Sequence, residues 1–393
     1  MTLLSRILRN AGSVARRVRA SVLGPRVPTA GAAPPTAATI DLDDPAVARD
    51  PFPCYEALRA AGPVQYLARH DAWIVLDHEE VKSAFMRPHL FSNRPYEDVD
   101  AVLLAADPPE HTAVRRIVSA YFSREVIERL GAFAAERAAA LLKPRLDVVR
   151  EYAQPLSEAV AARLLGVDDA TVEAIRAAAA RSPAFAQYVR ELDRLADRAE
   201  MYGRLRGDGL DDGQARSLVR LLWVASTKTS ERAIAQCVLR LLRHEDVRLA
   251  LRDDPAKIGP FIEEVLRLHQ PEPMLRRVTR EAVDLGGVTI PAGAMVNLCL
   301  AAANRDPAVY EHPAELRLDR PAARHLTFGY GIHHCVGARL GRAEVTAAVR
   351  TLLLDAPRFR AAQPLDSVPY CATMTAHYIE SLVVDITPGG GTV

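Results

Sequence analysis

One cysteine in a short glycine-rich stretch is the residue best suited to chemistry. Residues 328–337 read FGYGIHHCVG and contain Cys335 among three glycines. Glycines let a backbone turn tightly and approach a flat ligand closely. The following run, 338–354, predicts a helix whose N-terminal end favours a thiolate, and backbone N–H groups at 336–338 can hydrogen-bond the sulfur. The arrangement is typical of a single thiolate presented to an iron.

The stretch resembles the haem-binding loop of the cytochrome P450 family. The family pattern, FxxGxxxCxG, is matched by Phe328, Gly331, Cys335 and Gly337. A lone cysteine is more often a small buried hydrophobic residue, but the complete pattern and its place about sixty residues before the C-terminus argue against that interpretation. The resemblance implies a b-type haem contacted by Phe328 and Gly337, with Cys335 as the axial thiolate that favours O–O cleavage.

A second motif, DPPEHTAVRRIV, begins at Asp107 and is predicted to start a helix there. His111 and Arg115 are four residues apart and therefore share a helix face. By themselves they would be read as a solvated basic face. The family resemblance implies instead that both reach a haem propionate, and it gives the same role to Arg277 and His333. Propionates in a partly buried site need charged donors.

Residues 217–243 predict a long apolar helix that resembles the family helix crossing the distal face of the haem. Where the family has AGxET, residues 225–229 read ASTKT. Thr229 keeps the alcohol that, with water, supplies protons for oxygen cleavage. Ser226 replaces a glycine and narrows the groove, and Lys228 replaces the acid and reverses its charge.

Three roles are open for Lys228. It could donate protons in place of the acid, anchor an anionic substrate, or point outward to solvent. An interior lysine tends toward its neutral form, and a neutral amine could approach the iron. Because the acid of the family pattern is missing, we expect weak coupling of electrons to product with ordinary substrates.

The pair Glu264 and Arg267 forms an ExxR motif. As an isolated helical ion pair it would contribute only about 0.3–0.5 kcal/mol. The resemblance implies a structural triad with Arg320 that supports the cysteine loop.

The substrate pocket is expected to be lined by residues from three segments, with a lid at 181–207. These residues are Tyr96, Val102, Leu103, Ala225, Ser226, Pro273, Met274 and Leu275. The stretch between Ser92 and Asp107 is short, which predicts a wide mouth and a large or carrier-tethered substrate. Alternatively, the remaining loop folds over a small molecule, or the N-terminal segment or a partner closes the site.

The local patterns predict helices at 53–61 and from His78, with a strand around 73–76. They also predict one small sheet over 283–300, a loop at 207–213 and a turn at 373–378. The implied fold class is mainly α with small β-sheets (α+β), and the resemblance implies the helix-rich, triangular single domain of the cytochrome P450 fold.

Residues 1–39 read as a basic amphipathic arm with a Pro/Ala linker, and 40–393 as the haem-thiolate domain. The arm could be a membrane-surface or partner helix, a disordered arm, or the result of a start codon placed too far upstream. We favour a mobile arm with no catalytic role.

Composition excludes several classes of protein. The 393 residues carry a formal net charge of +1, which gives no reason to expect nucleic-acid binding. Five cysteines without a CxxC pair suggest neither a zinc site nor a disulfide framework, so we expect the reducing cytoplasm. No apolar run reaches the ~18 residues of a membrane span.

Two functions fit these sequence features. The first is a monomeric monooxygenase or oxidase that takes electrons from an acidic ferredoxin docked around Arg115, Arg116 and Arg339. Its substrate would be a small-molecule or carrier-tethered natural-product intermediate. The second is a non-catalytic cytochrome P450-like partner that activates another biosynthetic enzyme. Cys335 favours the enzyme, and only the altered distal helix favours the partner. The substrate and the outcome (hydroxylation, epoxidation, coupling or desaturation) stay open.

Overall fold

The computed structural model describes residues 37–97, 102–180, 185–320, 325–356 and 358–387. Most of the predicted arm therefore lies outside the described residues, and so do the segments 98–101 and 181–184. The described chain begins with Ala37, which packs against a buried cluster containing Ile40, Leu42 and Leu58.

Helices dominate the described chain, as the sequence predicts. The helices are α1 Pro45–Arg49, α2 Phe52–Ala61, α3 His78–Met86, α4 Glu110–Ala120, α5 Arg124–Ala140, α6 Gln154–Leu165, α7 Asp169–Ala180, α8 Phe185–Arg198, α9 Glu200–Gly207, α10 Asp212–Arg243, α11 Glu245–Asp253, α12 Ile258–Leu268, α13 Leu300–Ala303 and α14 Ala338–Leu354. A π-helical turn, Val148–Ala153, leads into α6.

The strands are short and form four small sheets. They are β1 Val64–Leu67, β2 Ala72–Val75, β3 Phe91–Ser92, β4 Arg145–Asp147, β5 Met274–Thr279, β6 Val283–Leu285, β7 Val288–Ile290, β8 Met295–Cys299, β9 Arg358–Ala361, β10 Tyr370–Thr373, β11 Ala376–Ile379 and β12 Val383–Thr387. The largest sheet has the order β1-β2-β8-β5-β3, and a second has the order β4-β12-β9. The fold class of many helices with small sheets is confirmed.

The single sheet predicted over 283–300 is wrong. The segment divides into a β6–β7 hairpin and the separate strand β8, which pairs with β2 and β5. Gly286 and Gly287 both have positive φ, which suits a two-residue hairpin turn. Four of the five β8 residues are buried, as expected for a strand inside a sheet.

The long helix α10 is the centre of the main core. It starts five residues before the predicted position because Asp211 and Gln214 form a capping box, with Asp211 accepting from the Gln214 N–H at 2.9 Å. The predicted loop 207–213 is accordingly reduced to 208–211. Helix α10 packs against α6 and α14, and α14 packs against α5. These contacts fix the helix that follows Cys335 against the helix that carries Thr229.

Within the described ranges, no helix combines the length and the apolarity that crossing a bilayer requires.

Candidate haem site

The cysteine loop is held by its own backbone. The Cys335 N–H donates to the Phe328 carbonyl at 2.8 Å, and a short 3₁₀ turn, Gly331–His333, lies between them. Gly331 has φ +68°, and a Cβ atom there would lie 2.8 Å from the carbonyl oxygen of Phe85. This glycine is needed for both conformation and space. Helix α14 begins at Ala338, as the sequence predicts.

The environment of the Cys335 thiol raises its pKa. Desolvation by the surrounding protein is the main cause, although the Cys335 residue is exposed, and the Gly337 N–H hydrogen bond and the charges of Arg115 and Arg342 oppose it. In the protein alone, this desolvation opposes the thiolate that the helix N-terminus is predicted to favour. Because a coordinated metal deprotonates a thiol, iron would supply the missing stabilisation.

Two of the predicted propionate ligands, His111 and His333, are brought into contact. Their ring centroids are 4.1 Å apart. Both ring nitrogens of His111 and Nε2 of His333 are buried without a hydrogen-bond partner among the described residues. Burial is the main cause that lowers the pKa of His333 to about 3, and the nearby His111, Arg277 and Arg115 act in the same direction.

Arg277 and Arg115 complete this cationic group. The Arg277 residue is 4% exposed, and its guanidinium donates to the carbonyl of Arg276 at 2.7 Å. Burial lowers its pKa to about 10. Arg115 donates to the carbonyl of His334 at 2.5 Å, so helix α4 is tied to the cysteine loop.

Asp107, whose charge acts on His111 and Arg277, is already engaged in other hydrogen bonds. Its carboxylate accepts from the Ser92 hydroxyl, from the Asn93 N–H at 3.3 Å and from Arg280 at 2.5 Å. The predicted helix start at Asp107-Pro-Pro is right to within one turn, because α4 is regular from Glu110 and the Asp107 carbonyl already accepts from the His111 N–H at 3.0 Å. The Asp107 side chain links β3 to the end of β5.

The cationic group fits a dianionic haem. Buried donors without acceptors have a high free-energy cost unless a ligand supplies the acceptors. Two propionates would supply carboxylates to His111, Arg115, Arg277 and His333, while Cys335 would bind the iron. The donor set thus matches the group that the sequence implies.

The hydroxyl groups of α10 bond back along the helix. Thr229 donates from Oγ1 to the carbonyl of Ala225 at 2.7 Å, and Ser226 donates to that of Leu222 at 2.5 Å. Such bonds to the i−4 carbonyl keep a hydroxyl close to its own helix. Ala225 is exposed on this surface, and Thr229 lies one turn further along.

Lys228 points to solvent and to a partner that the sequence interpretation did not include. Its Nζ lies 2.9 Å from Oε2 of Glu231, and its side chain is 43% exposed, against 9% for that of Glu231. Lys228 is therefore half-buried on the helix surface and forms an ion pair with Glu231. The i,i+3 spacing of the two residues was the available sequence signal.

The ExxR triad is assembled around one carboxylate. Glu264 contacts Arg267 at 2.7 and 2.9 Å and Arg320 at 2.9 Å. Arg267 also donates to the carbonyls of Asn304, Pro313 and Glu315. These bonds fix the segment between β8 and the cysteine loop against α12.

The predicted pocket residues differ in burial and lie in different parts of the core. Tyr96 accepts from the N–H of Arg276 at 2.8 Å and so contacts β5. Leu103 and Met274 are buried in two different core clusters, Val102 packs against the first, and Pro273 is buried. Leu275 and Ser226 are half-buried. The stretch 98–101 and the start of the predicted lid, 181–184, lie outside the described residues.

A second support for the loop, centred on Arg342, was missed. Its guanidinium lies 4.2 Å from the ring centroid of Phe328 and contacts Glu263 at 2.7 and 2.8 Å. His325 approaches the same carboxylate at 3.2 Å. The adjacent acids Glu263 and Glu264 were the only sequence signal for this cluster. The contacts of Arg342 and His325 with Glu263 join segments that are distant in sequence, so no local pattern predicts them.

Comparisons with known proteins agree with this geometry. The family model for cytochrome P450 matches residues 259–370. Vitamin D(3) 25-hydroxylase of Pseudonocardia autotrophica is 32% identical over 381 residues, covering 86% of this chain and 94% of that protein.

Solved structures show the same fold. P450BioI in complex with a hexadec-9Z-enoic acid ligated acyl carrier protein has a TM-score of 0.77 and 27% identity over 87% of this chain and 100% of that one. Tirandamycin C-bound TamI, a P450 monooxygenase, has a TM-score of 0.78 and 28% identity over 88% of this chain and 100% of that one. The chain, with its thiolate loop and its cationic cradle for a haem, therefore belongs to the cytochrome P450 family of haem-dependent monooxygenases.

Proposed function

We propose that this monooxygenase oxidises a small-molecule or carrier-tethered natural-product intermediate, with O₂ and electrons from a ferredoxin. The observation that carries the proposal is the convergence of His111, Arg115, Arg277 and His333 beside the loop of Cys335, with buried nitrogens that lack acceptors. The haem, when bound, supplies activation of oxygen at a thiolate-ligated iron.

Thiolate ligation is tested by the spectrum of the reduced protein with carbon monoxide. We expect the red-shifted Soret band of a thiolate ligand in the wild type and its loss in Cys335→Ser. Cys54→Ser, which makes the same change at a half-buried cysteine outside the loop, serves as a control for general effects of substitution. A folded wild-type protein that binds no haem would instead favour the non-catalytic partner function.

The substrate class is supported by the short Ser92–Asp107 segment and by the relatives. One neighbour was solved with an acyl carrier protein and another with tirandamycin C, so both carrier-tethered and free ligands bind to similar proteins. Titration of the haem spectrum with a free long-chain acid, with the same acyl group on a carrier protein, and with a macrocycle separates the two classes. We expect the carrier-bound acyl group to bind more tightly than the free acid. The opposite order, with a compact ligand binding best, would restrict the proposal to free small molecules.

The proposed ferredoxin site is the basic surface around Arg115. Arg116 and Arg339 are exposed, and neither has a carboxylate within 4 Å in the described parts of the chain. Unpaired surface cations steer acidic partners and raise association rates. We expect Arg116→Glu with Arg339→Glu to slow ferredoxin-driven turnover at least tenfold at low salt, while peroxide-driven turnover changes little. Arg358→Glu, an exposed arginine on β9, is the control. Equal loss with both oxidants would rule out a docking role.

Proton delivery is proposed to be atypical because Lys228 stands where relatives carry an acid. The ion pair between Lys228 and Glu231 keeps the Lys228 charge on the surface of the helix that carries Thr229. Thr229 remains the hydroxyl that would relay protons. The proposed compartment is the cytoplasm, consistent with five free cysteines in the described residues.

A further inference from the structure

A cavity separate from the haem site collects basic side chains. It has a volume of about 740 Å³ and lies where α10 and α12 end, beside the hairpin of β10 and β11. No residue assigned above to the haem, the thiolate or the distal helix surface lines it. Along α10, Arg240 lies eleven residues beyond Thr229, a distance of about 16 Å. Its basic lining residues are Arg49, Arg240, Arg243, His244, His269, Arg305 and His377.

The charges of this cavity are not balanced inside it. Five basic side chains of the lining belong to half-buried residues, whereas its three acids, Asp50, Glu315 and Asp366, are exposed. Arg243 has a carboxylate at 3.8 Å, that of Asp366. Among the residues that the structure describes, Arg49, Arg240 and Arg305 have none within 4 Å. The half-buried basic residues are Arg240, His244, His269, Arg305 and His377.

Hydrogen bonds leave part of this positive charge without acceptors. The Nε atoms of Arg240 and Arg305 are both buried and unpartnered within the described chain. Arg305 is positioned by a bond to the carbonyl of Leu268 at 3.0 Å and by the ring of Phe52, whose centroid lies 3.3 Å from the guanidinium carbon. Arginines at helix C-termini commonly bind free carbonyls. That role explains Arg305 but leaves the Nε of Arg240 without an acceptor.

The electrostatics show the same excess of positive charge. Burial, with Arg240 and Arg305 as the main charged neighbours, lowers the pKa of His269 well below its ordinary value. Burial and neighbouring arginines also lower the pKa of Arg305 to about 9. A bound anion would reverse these unfavourable interactions.

The remaining wall of the cavity is apolar and aromatic. Its apolar lining residues are Phe52, Leu268, Leu316, Leu365 and Val368. The rings of Tyr370 and His377 stack with centroids 5.0 Å apart. The volume lies in the ~300–1,000 Å³ range of sites for small organic ligands and far exceeds that of a single inorganic anion.

We propose that this cavity binds a phosphorylated organic anion. The guanidinium groups of Arg240 and Arg305 would hold the phosphate oxygens, for which the planar arginine fork is well suited. The organic part would lie against Phe52, Tyr370 and the aliphatic side chains. The site does not depend on the identity of the oxidised substrate.

The test is calorimetric titration of the haem-loaded protein at low ionic strength with ADP, pyrophosphate, adenosine and citrate. We expect one ADP per chain, with weaker binding of pyrophosphate and citrate and little binding of adenosine. Arg240→Gln should weaken ADP binding at least tenfold. Arg220→Gln, on the same helix but paired with Asp193 outside the cavity, should change it less than twofold. The Soret spectrum should stay unchanged on ADP addition.

The proposal is overturned by any of four results. These are no saturable binding, full ADP affinity in Arg240→Gln, citrate binding as tightly as ADP, or an ADP-induced Soret shift that places the ligand at the haem. If Arg240→Gln does not fold, Arg49→Gln replaces it. Arg49 also lines the cavity but is exposed, so its substitution should not disturb the core. We expect Arg49→Gln to weaken ADP binding.

Discussion

At the scale of single residues, Lys228 departs from the family pattern AGxET that residues 225–229 resemble. Lys228 is paired with Glu231 at 2.9 Å and its side chain is 43% exposed, which favours the outward orientation among its three possible roles. The pair places a cation beside Thr229, at the position where the family pattern has an acid. A cation cannot accept a proton from solvent and pass it on as a carboxylate does.

We therefore expect Lys228→Glu to raise the coupling of electrons to product severalfold. The measurement is the ratio of product formed to reduced nicotinamide consumed in a ferredoxin system. Lys228→Met, which removes the charge without adding an acid, is the matched control and should leave coupling low. If both variants couple like the wild type, Lys228 has no part in proton delivery.

A second residue-scale prediction concerns Arg277, a buried cation with no carboxylate within 4 Å among the described residues. Arg277→Met should speed haem loss to apomyoglobin at least tenfold, because a propionate donor is removed. The apoprotein should unfold at the same or a higher temperature, since burial already disfavours the charged guanidinium. Arg276→Met, the next residue along β5, is the control. A variant that weakens the apoprotein without affecting haem retention would show that Arg277 is only structural.

At the scale of elements, helices α6, α10 and α14 meet around a buried carboxyl group. Glu344 of α14 accepts from the hydroxyl of Ser157 at 2.6 Å and is also hydrogen-bonded by Ser230. Burial raises the pKa of Glu344 from 4.5 to about 7. The carboxyl is thus easiest to bury when protonated.

This raised pKa predicts a dependence of stability on pH. The folded state binds the proton more tightly than the unfolded chain, so the contribution of Glu344 is most favourable below about pH 4.5 and is lost as the pH rises through 7. Glu344→Gln should therefore increase the free energy of unfolding by roughly 3 kcal/mol at pH 8 and by much less at pH 5. Denaturant unfolding at both pH values measures this. The same gain at both values would contradict a titrating carboxyl.

At the scale of the whole molecule, the Glu264 triad links distant parts of the chain. Arg267 is 1% exposed and joins α12 to three carbonyls between residues 304 and 315. This region precedes the cysteine loop. Breaking a buried pair leaves an uncompensated charge and unsatisfied carbonyls.

We expect Arg267→Leu to lower the free energy of unfolding by about 3–5 kcal/mol and to reduce the haem content of the purified protein. Arg124→Leu breaks a surface ion pair with Glu128, in which the Arg124 side chain is 87% exposed. This control should lower the free energy of unfolding by less than about 1 kcal/mol. Denaturant melts and the ratio of Soret to protein absorbance report the two effects. A similarly small loss of unfolding free energy in both variants would show that the triad does not stabilise the fold.

The sequence by itself determined the elements whose signals are local. The spacing of Phe328, Gly331, Cys335 and Gly337 predicted the thiolate loop, and apolar runs predicted the bounds of α14 and the C-terminal end of α10, whose start was placed five residues too late. These features depend on backbone conformation and helical periodicity, which neighbouring residues specify. The family and the haem followed from them.

Tertiary structure alone decided what depends on contacts between distant segments. It separated β8 from the β6–β7 hairpin, because pairing partners such as β2 are remote in sequence. It turned Lys228 toward Glu231 and placed Arg342 against Phe328 and Glu263. It also gathered Arg49, Arg240 and Arg305 around one cavity. No local pattern encodes these juxtapositions, since side-chain partners and burial are fixed only when the core packs.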